Sequence, residues 1–166
     1  MYHVGEYIVH PGQGVCKVDE IRSEPFETYM LLPVGARNPV RISFPVASES
    51  RLRPVLSKDE AEALIVEYAQ LPLDTFTERS MALEEEHFKD QIRRGTCRDS
   101  VQVVKTFRAR IAEVRARNKK PPVVYERILK QASERSLSEL AVALGITVDD
   151  VRALFESQGE EDFSLN

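Results

Sequence analysis

The chain has 166 residues, of which 42% are hydrophobic and 30% charged, with a formal net charge of −4. That length holds one ordinary domain or two small ones, and the composition is that of a globular protein rather than a disordered or fibrous one. No apolar run approaches the ~20 residues that span a bilayer, the start lacks the basic-then-apolar pattern of a signal peptide, and three scattered histidines and two distant cysteines have no metal-ligand spacing. The expectation is a cytoplasmic protein with reduced thiols, no metal and no cofactor.

The opening stretch VGEYIVHPGQGV (residues 4–15) sets an apolar strand before His10-Pro11 and two glycines around Gln13, and the apolar run resumes at Val15. Proline fixes φ and glycine admits positive φ, so the chain turns sharply. A phosphate-cradling loop would lead into a helix; a second strand follows here, so the stretch reads as a β-hairpin. Residues 5–10, 14–23, 27–32, 40–45 and 51–54 are candidate strands, separated by segments rich in proline, glycine and serine. Five short strands in about fifty residues fit a small SH3-like barrel, whose incompletely covered edge is a template for a strand from another chain.

The pattern changes at Leu56. Ser57 with Glu60 forms a capping box, Leu64, Ile65, Tyr68 and Leu71 follow at helical spacing, and Pro72 stops the helix. A second helix is expected from about Thr75 to Arg94, ended by Gly95. Thr96 to Asp99 starts a third, with Val101, Val104, Phe107, Ile111 and Val114 on one stripe. After Pro121-Pro122 a fourth helix carries Val124, Ile128, Leu129 and Ala132. Ser136 with Glu139 reads as a capping box that opens a separate short helix to Leu144, and Thr147 with Asp150 caps a last helix to about Phe155. The acidic tail from Ser157 onward is expected to fray. The fold class is therefore α+β: a β-barrel module over residues 1–55, then an all-α helical bundle over residues 56–166.

Charge is segregated along the chain. Residues 54–92 hold three basic and ten acidic side chains, whereas residues 93–130 hold twelve basic and three acidic. Such a basic block is the footprint of polyanion binding, or else a solvated face that pairs with its acidic neighbours. Leu140, Ala141, Leu144, Gly145, Ile146, Val151 and Leu154 have helix-turn-helix spacing. The second helix of that pair offers Asp149, Asp150 and Glu156 against Arg152, and carboxylates repel phosphate. No nucleophile–base or metal-ligand set converges, so no catalytic residue is assigned; His10 is the one tempting general base.

Taken together, VGEYIVHPGQGV, RISFPV (residues 41–46), LRPV (52–55), IRRG (92–95), VVKTF (103–107) and YERIL followed by SELA make the chain resemble the CarD/CdnL family of bacterial transcription regulators. The resemblance spans about residues 3–154. It implies a non-enzymatic protein, a monomer, whose Tudor-like N-terminal module pairs a sheet edge with the RNA polymerase β subunit. Its helical domain would contact promoter DNA, largely without sequence specificity, and stabilise the open complex. By position the polymerase-facing strand is residues 40–44, with Arg41, Ser43 and Phe44 as its site residues. The location implied is the bacterial cytoplasm, with the nucleoid reached through polymerase.

Two departures stand out. Many relatives place a DNA-wedging tryptophan where this chain has Met81, and basic positions of relatives fall on Glu84, Glu86 and Glu126. Met81 remains a candidate apolar wedge. The basic block supplies candidate phosphate contacts in Arg93, Arg94, Arg98, Lys105, Arg108, Arg110, Arg115, Arg117, Lys119 and Lys120, which would position the protein without reading sequence. Two alternatives compete. One is an autonomous helix-turn-helix repressor, and the other is a protein–protein adaptor without DNA affinity that exposes Met81, Leu83 and Phe88 as one apolar patch.

Overall fold

The computed structural model describes residues 1–158. Five strands, β1 (Tyr7–His10), β2 (Gly14–Arg22), β3 (Thr28–Pro33), β4 (Ile42–Pro45) and β5 (Arg53–Pro54), form one antiparallel sheet in the order β4-β3-β2-β1-β5. A kinked 3-10 segment, Val46–Arg51, carries the chain from β4 at one edge to β5 at the other. Six residues of 3-10 helix advance about 12 Å, whereas the outer strands of a flat five-stranded sheet lie about 19 Å apart. The sheet must therefore curl, and it does so around Ile8, Val18, Tyr29, Leu31, Phe44 and Leu52. The Tyr29 hydroxyl donates to Glu49 at 2.7 Å and accepts from the Tyr2 amide at 2.9 Å, tying the 3-10 segment and the N-terminus to the sheet.

The hairpin expected at the start of the chain is present. His10 pairs with Gly14, and the His10 ring stabilises the turn from inside, its Nδ1 accepting from the Gly12 and Gln13 amides at 3.0 and 3.1 Å. A neutral ring is required for that role, because a protonated Nδ1 cannot accept. The candidate general base is thus a turn-builder.

Five helices follow: α1 (Lys58–Glu67), α2 (Met81–Arg94), α3 (Cys97–Ala116), α4 (Val123–Leu144) and α5 (Val148–Ser157), with a 3-10 turn at Tyr68–Gln70. Ser57, Thr96 and Thr147 each accept from a first-turn amide, as their spacing predicts. Gly145 turns α4 into α5 with φ +67. The core runs through Phe88, Val104, Phe107, Ile128, Leu140 and Phe155. Phe88 and Phe107 meet edge to face at 4.8 Å, and Tyr68 meets Phe155 at 5.3 Å. No helix among the described residues is long and apolar enough to cross a membrane.

Two helix boundaries differ from the expectation. α2 begins at Met81, not near Thr75. The carbonyls of Asp74 and Phe76, which a helix would use internally, accept from Arg110, and the Phe76 and Glu78 amides donate to Asp74 and Glu84 side chains. The segment 71–80 is therefore an extended strap across the bundle. α4 is continuous through Ser136. The buried Ser136 hydroxyl donates back to the Ala132 carbonyl at 2.8 Å, and Glu139 bonds elsewhere, so neither caps a new helix. The last helix also runs to Ser157; the rest of the tail expected to fray, from residue 159, lies outside the described residues.

The helices dock on the sheet through two arginines. Arg53 of β5 donates from both terminal nitrogens to the Glu139 carboxylate at 2.7 Å and from Nε to the Gly95 carbonyl at 3.2 Å. Arg135 of α4 donates to the carbonyls of His10, Pro11 and Arg93. Gly14, at φ +76, lets Arg135 approach, since a Cβ there would stand 3.2 Å from the Arg135 Cδ. At Gly95 the demand is for space alone: a Cβ would lie 2.4 Å from the Gln91 carbonyl oxygen and 2.6 Å from Asp99 Oδ2. Gly95→Ala should cost about 1–3 kcal/mol by overpacking, read as a lower midpoint in urea denaturation. An unchanged midpoint would show that the α2–α3 turn has slack.

Candidate functional site

Two surfaces carry the sequence-predicted site residues. The first is the outer edge of the sheet. Among the described residues β4 pairs on one side only, with β3, through Ile42 with Leu31, Ser43 with Met30 and Phe44 with Tyr29. Its other side presents backbone donors and acceptors without a strand, the arrangement used for strand addition. Ser43 is exposed, and Val40, just before the strand, is 76% exposed. Arg41 is exposed but already pairs with Asp19 and with Glu20, the latter at 3.0 Å, so it braces the edge against β2. Phe44 is 5% exposed and belongs to the core. Its backbone can serve the edge; its ring cannot.

The second surface is the basic part of the helical region, and the fold divides it. Lys105 donates to the Tyr68 and Ala69 carbonyls at 2.9 Å, Arg108 to the Tyr68 hydroxyl at 3.1 Å and Arg110 to the Phe76 carbonyl at 2.6 Å. Arg110 also lies over the Phe88 and Phe107 rings and 3.9 Å from Glu84. These three hold the 3-10 turn and the strap against α3. Four more form surface ion pairs, Arg94 with Asp90, Arg98 with Glu67, Arg115 with Glu126 and Arg117 with Glu113. Such exposed pairs contribute little to stability. Arg93, Lys119 and Lys120 are exposed and form no ion pair among the described residues.

The remaining cations collect at opposite ends of α3. Its twenty residues advance about 30 Å. Arg93, Arg94 and Arg98 surround its N-terminal end, the first two beside the sheet and the third at the end of α1, while Arg115, Arg117, Lys119 and Lys120 mark its C-terminal end. Met81 belongs to the second group. It opens α2 one turn before Glu84, which meets Arg110; Glu85 of the same turn binds Arg127 at 3.1 Å, next to the Glu126 that faces Arg115. Met81 is 44% exposed and Leu83 49%, but Phe88 is fully buried. The adaptor patch of all three residues is thus not formed.

Residues 2–56 match the family described as CarD-like/TRCF RID domain. The chain carries a CarD-like RNA polymerase-interacting domain. The match covers the whole sheet and stops just before α1, and it implies a transcription-associated, polymerase-binding role. No curated protein matches the chain, and no catalytic domain such as the helicase of transcription-repair coupling factors is detected in it. Among the described residues no group of three His, Cys, Asp or Glu side chains is placed to hold a metal ion. Cys16 and Cys97 are buried free thiols; burial pushes the Cys16 thiol up to about 11 and that of Cys97 well above its usual range, which makes both poor nucleophiles.

Sequence reasoning did not single out Arg51, Arg53 or Arg135, which lie where the CarD-like domain meets the helices. Pairing with Glu139 and with carbonyls identifies Arg53 and Arg135, and the Phe44 ring beneath its guanidinium identifies Arg51; none of these partners is visible in a linear pattern. Replacing Arg110 with Ala should lower stability by about 1.5–3 kcal/mol, since charged hydrogen bonds are lost and Glu84 is left buried without its cation. Lys119→Ala should stay within about 0.5 kcal/mol of the wild type. Equal losses in thermal denaturation would contradict the division made here.

Proposed function

We propose that this protein is a non-enzymatic transcription regulator whose CarD-like domain, residues 1–55, binds the RNA polymerase β subunit by adding its β4 edge to a polymerase strand. Its helical domain, residues 56–166, contacts promoter DNA and stabilises the open complex. The observation that carries the reading is the match of residues 2–56 to a polymerase-interacting domain whose edge strand β4 has no strand on its outer side among the described residues. Within that strand Ser43 supplies the exposed side chain and Phe44 the backbone. Arg41 keeps the edge in register through Asp19 and Glu20.

On the helical side, the reading places DNA at the end of the bundle that bears Met81, Arg115, Arg117, Lys119 and Lys120. Met81 supplies an apolar side chain at a helix start, flexible enough to insert at a melted base step. The two lysines offer mobile point charges to phosphates, a contact that positions without reading bases. The relatives' basic positions that fall on Glu84 and Glu126 have other roles here, one anchoring the strap and the other facing Arg115. The DNA contribution to affinity is therefore small, and polymerase supplies the promoter address. A monomer suffices for both contacts. The helix-turn-helix alternative gains nothing from α5, where Val151 and Phe155 are buried and Arg152 is paired with Asp149.

The deciding experiment is capture of polymerase by the full chain. Val40→Asp with Ser43→Lys changes two exposed side chains and should reduce capture at least tenfold at an unchanged melting temperature. Undiminished capture would remove β4 as the interface. For the helical side, Lys119→Gln with Lys120→Gln should weaken forked-promoter binding equally on unrelated sequences and flatten the log–log salt slope by roughly 1–2. A sequence-dependent loss would argue for base reading instead.

A further inference from the structure

A second concentration of positive charge is separate from the lysine end of the bundle and lies on the inner side of β4, against the Phe44 ring. A cleft of about 630 Å³ opens between the β1–β2 hairpin, the 3-10 segment and the turn from α2 to α3, and Arg51, Arg53, Arg93 and Arg94 line it together with His10. Among the described residues no acidic side chain lines it. Three carboxylates near its lining are already engaged: Glu139 holds Arg53, Asp90 holds Arg94, and Asp99 accepts from the Thr96 amide and hydroxyl at the start of α3. Arg51 and Arg93 have no carboxylate partner among the described residues. Behind them, Arg135 donates only to carbonyls, and its Nε is buried without a partner.

The cations act on one another. Burial first, then the charges of Arg135 and Arg51, hold the His10 ring below the usual histidine range. Arg135 is likewise lowered by burial and then by Arg53. With Arg53 and Arg94 paired to Glu139 and Asp90, the charges left to face the cleft are those of Arg51 and Arg93, and walls of low dielectric focus their field. The geometry also favours a ligand. The Arg51 guanidinium rests over the Phe44 ring at 5.9 Å, which limits its freedom. His10, with Nδ1 accepting from the turn amides, keeps its proton on Nε2 as a donor.

We propose that this cleft binds a small polyphosphate anion, of the kind carried by nucleotides, through Arg51 and Arg93. Volume favours a small ligand, since clefts of a few hundred cubic ångströms enclose molecules of nucleotide size. Position separates it from promoter DNA, because the cleft is at the N-terminal end of α3 and Lys119 and Lys120 are at the other, about 30 Å away. A duplex is too wide to enter a cleft of this size and could meet only its rim. A chain of phosphates can enter and be gripped from both sides, by Arg51 at the end of the 3-10 segment and by Arg93 on the helices. The site exists only because the two parts of the chain are docked.

Calorimetric titration of the full chain at low salt with tripolyphosphate, orthophosphate and a short DNA duplex tests the proposal. Tripolyphosphate should bind at least tenfold more tightly than orthophosphate. Arg51→Gln and Arg93→Gln, both at exposed positions, should each weaken it at least fivefold without lowering the ligand-free melting temperature. Lys119→Gln with Lys120→Gln should leave it unchanged. Repeating the series with a nucleoside triphosphate distinguishes bare phosphate from a nucleotide, and either must depend on Arg51 and Arg93. Absent binding, equal binding by the arginine variants, an equal loss in the lysine variant or displacement by the duplex would each overturn the cleft as a polyphosphate site.

Discussion

A carboxylate that is 1% exposed would be intolerable without partners, and Glu139 finds three. Two are the terminal nitrogens of Arg53, and the third is the Leu56 amide at 3.1 Å, immediately after the last strand. Much of the architecture follows from satisfying it. β5 is only two residues long, too short to hold its place by pairing alone, and its arginine fixes it against α4. The same arginine reaches Gly95, so the α2–α3 turn is drawn to the sheet. Removing one partner of a buried pair costs about 3–5 kcal/mol, far more than the pair itself contributes relative to apolar residues. The role of the pair is to specify where the sheet and the helices meet.

The sheet and the helix starts were legible because their signals are local. Pro11 with Gly12 and Gly14 dictates a turn whatever surrounds it, and Thr96 or Thr147 needs only an amide three residues on. Ser136 and Glu139 show the limit of such reasoning. They carry the same spacing as a capping box, but both are buried, and in a dry interior the hydroxyl turned to its own helix while the carboxylate turned to an arginine 86 positions away in sequence. Thr75 fails as a helix start for a related reason, since Arg110 takes the carbonyls that a first turn would need.

The candidate site was legible in part. Edge strand β4 follows from the number of strands, but nothing in RISFPV says that Phe44 faces inward while Ser43 faces out until the register with Tyr29 and Met30 is known. The basic block misled by its count. Residues 54–92 and 93–130 carry opposite charge because part of one binds the other: Glu67 to Arg98, Glu84 to Arg110 and Glu85 to Arg127. The surface field is therefore weaker than the linear segregation implies, and more divided.

The docking of Arg53 and Arg135 has a consequence for scale. A sheet edge and a helix end joined by a flexible linker would sample many separations, and occupation of one contact would raise the local concentration of the other only modestly. Bolted through Glu139, Gly95 and the hairpin carbonyls, the two ends stand a set distance apart. In the reading proposed above, the protein then works as a gauge block: whatever holds β4 thereby fixes where Met81 and the lysines beside it can reach.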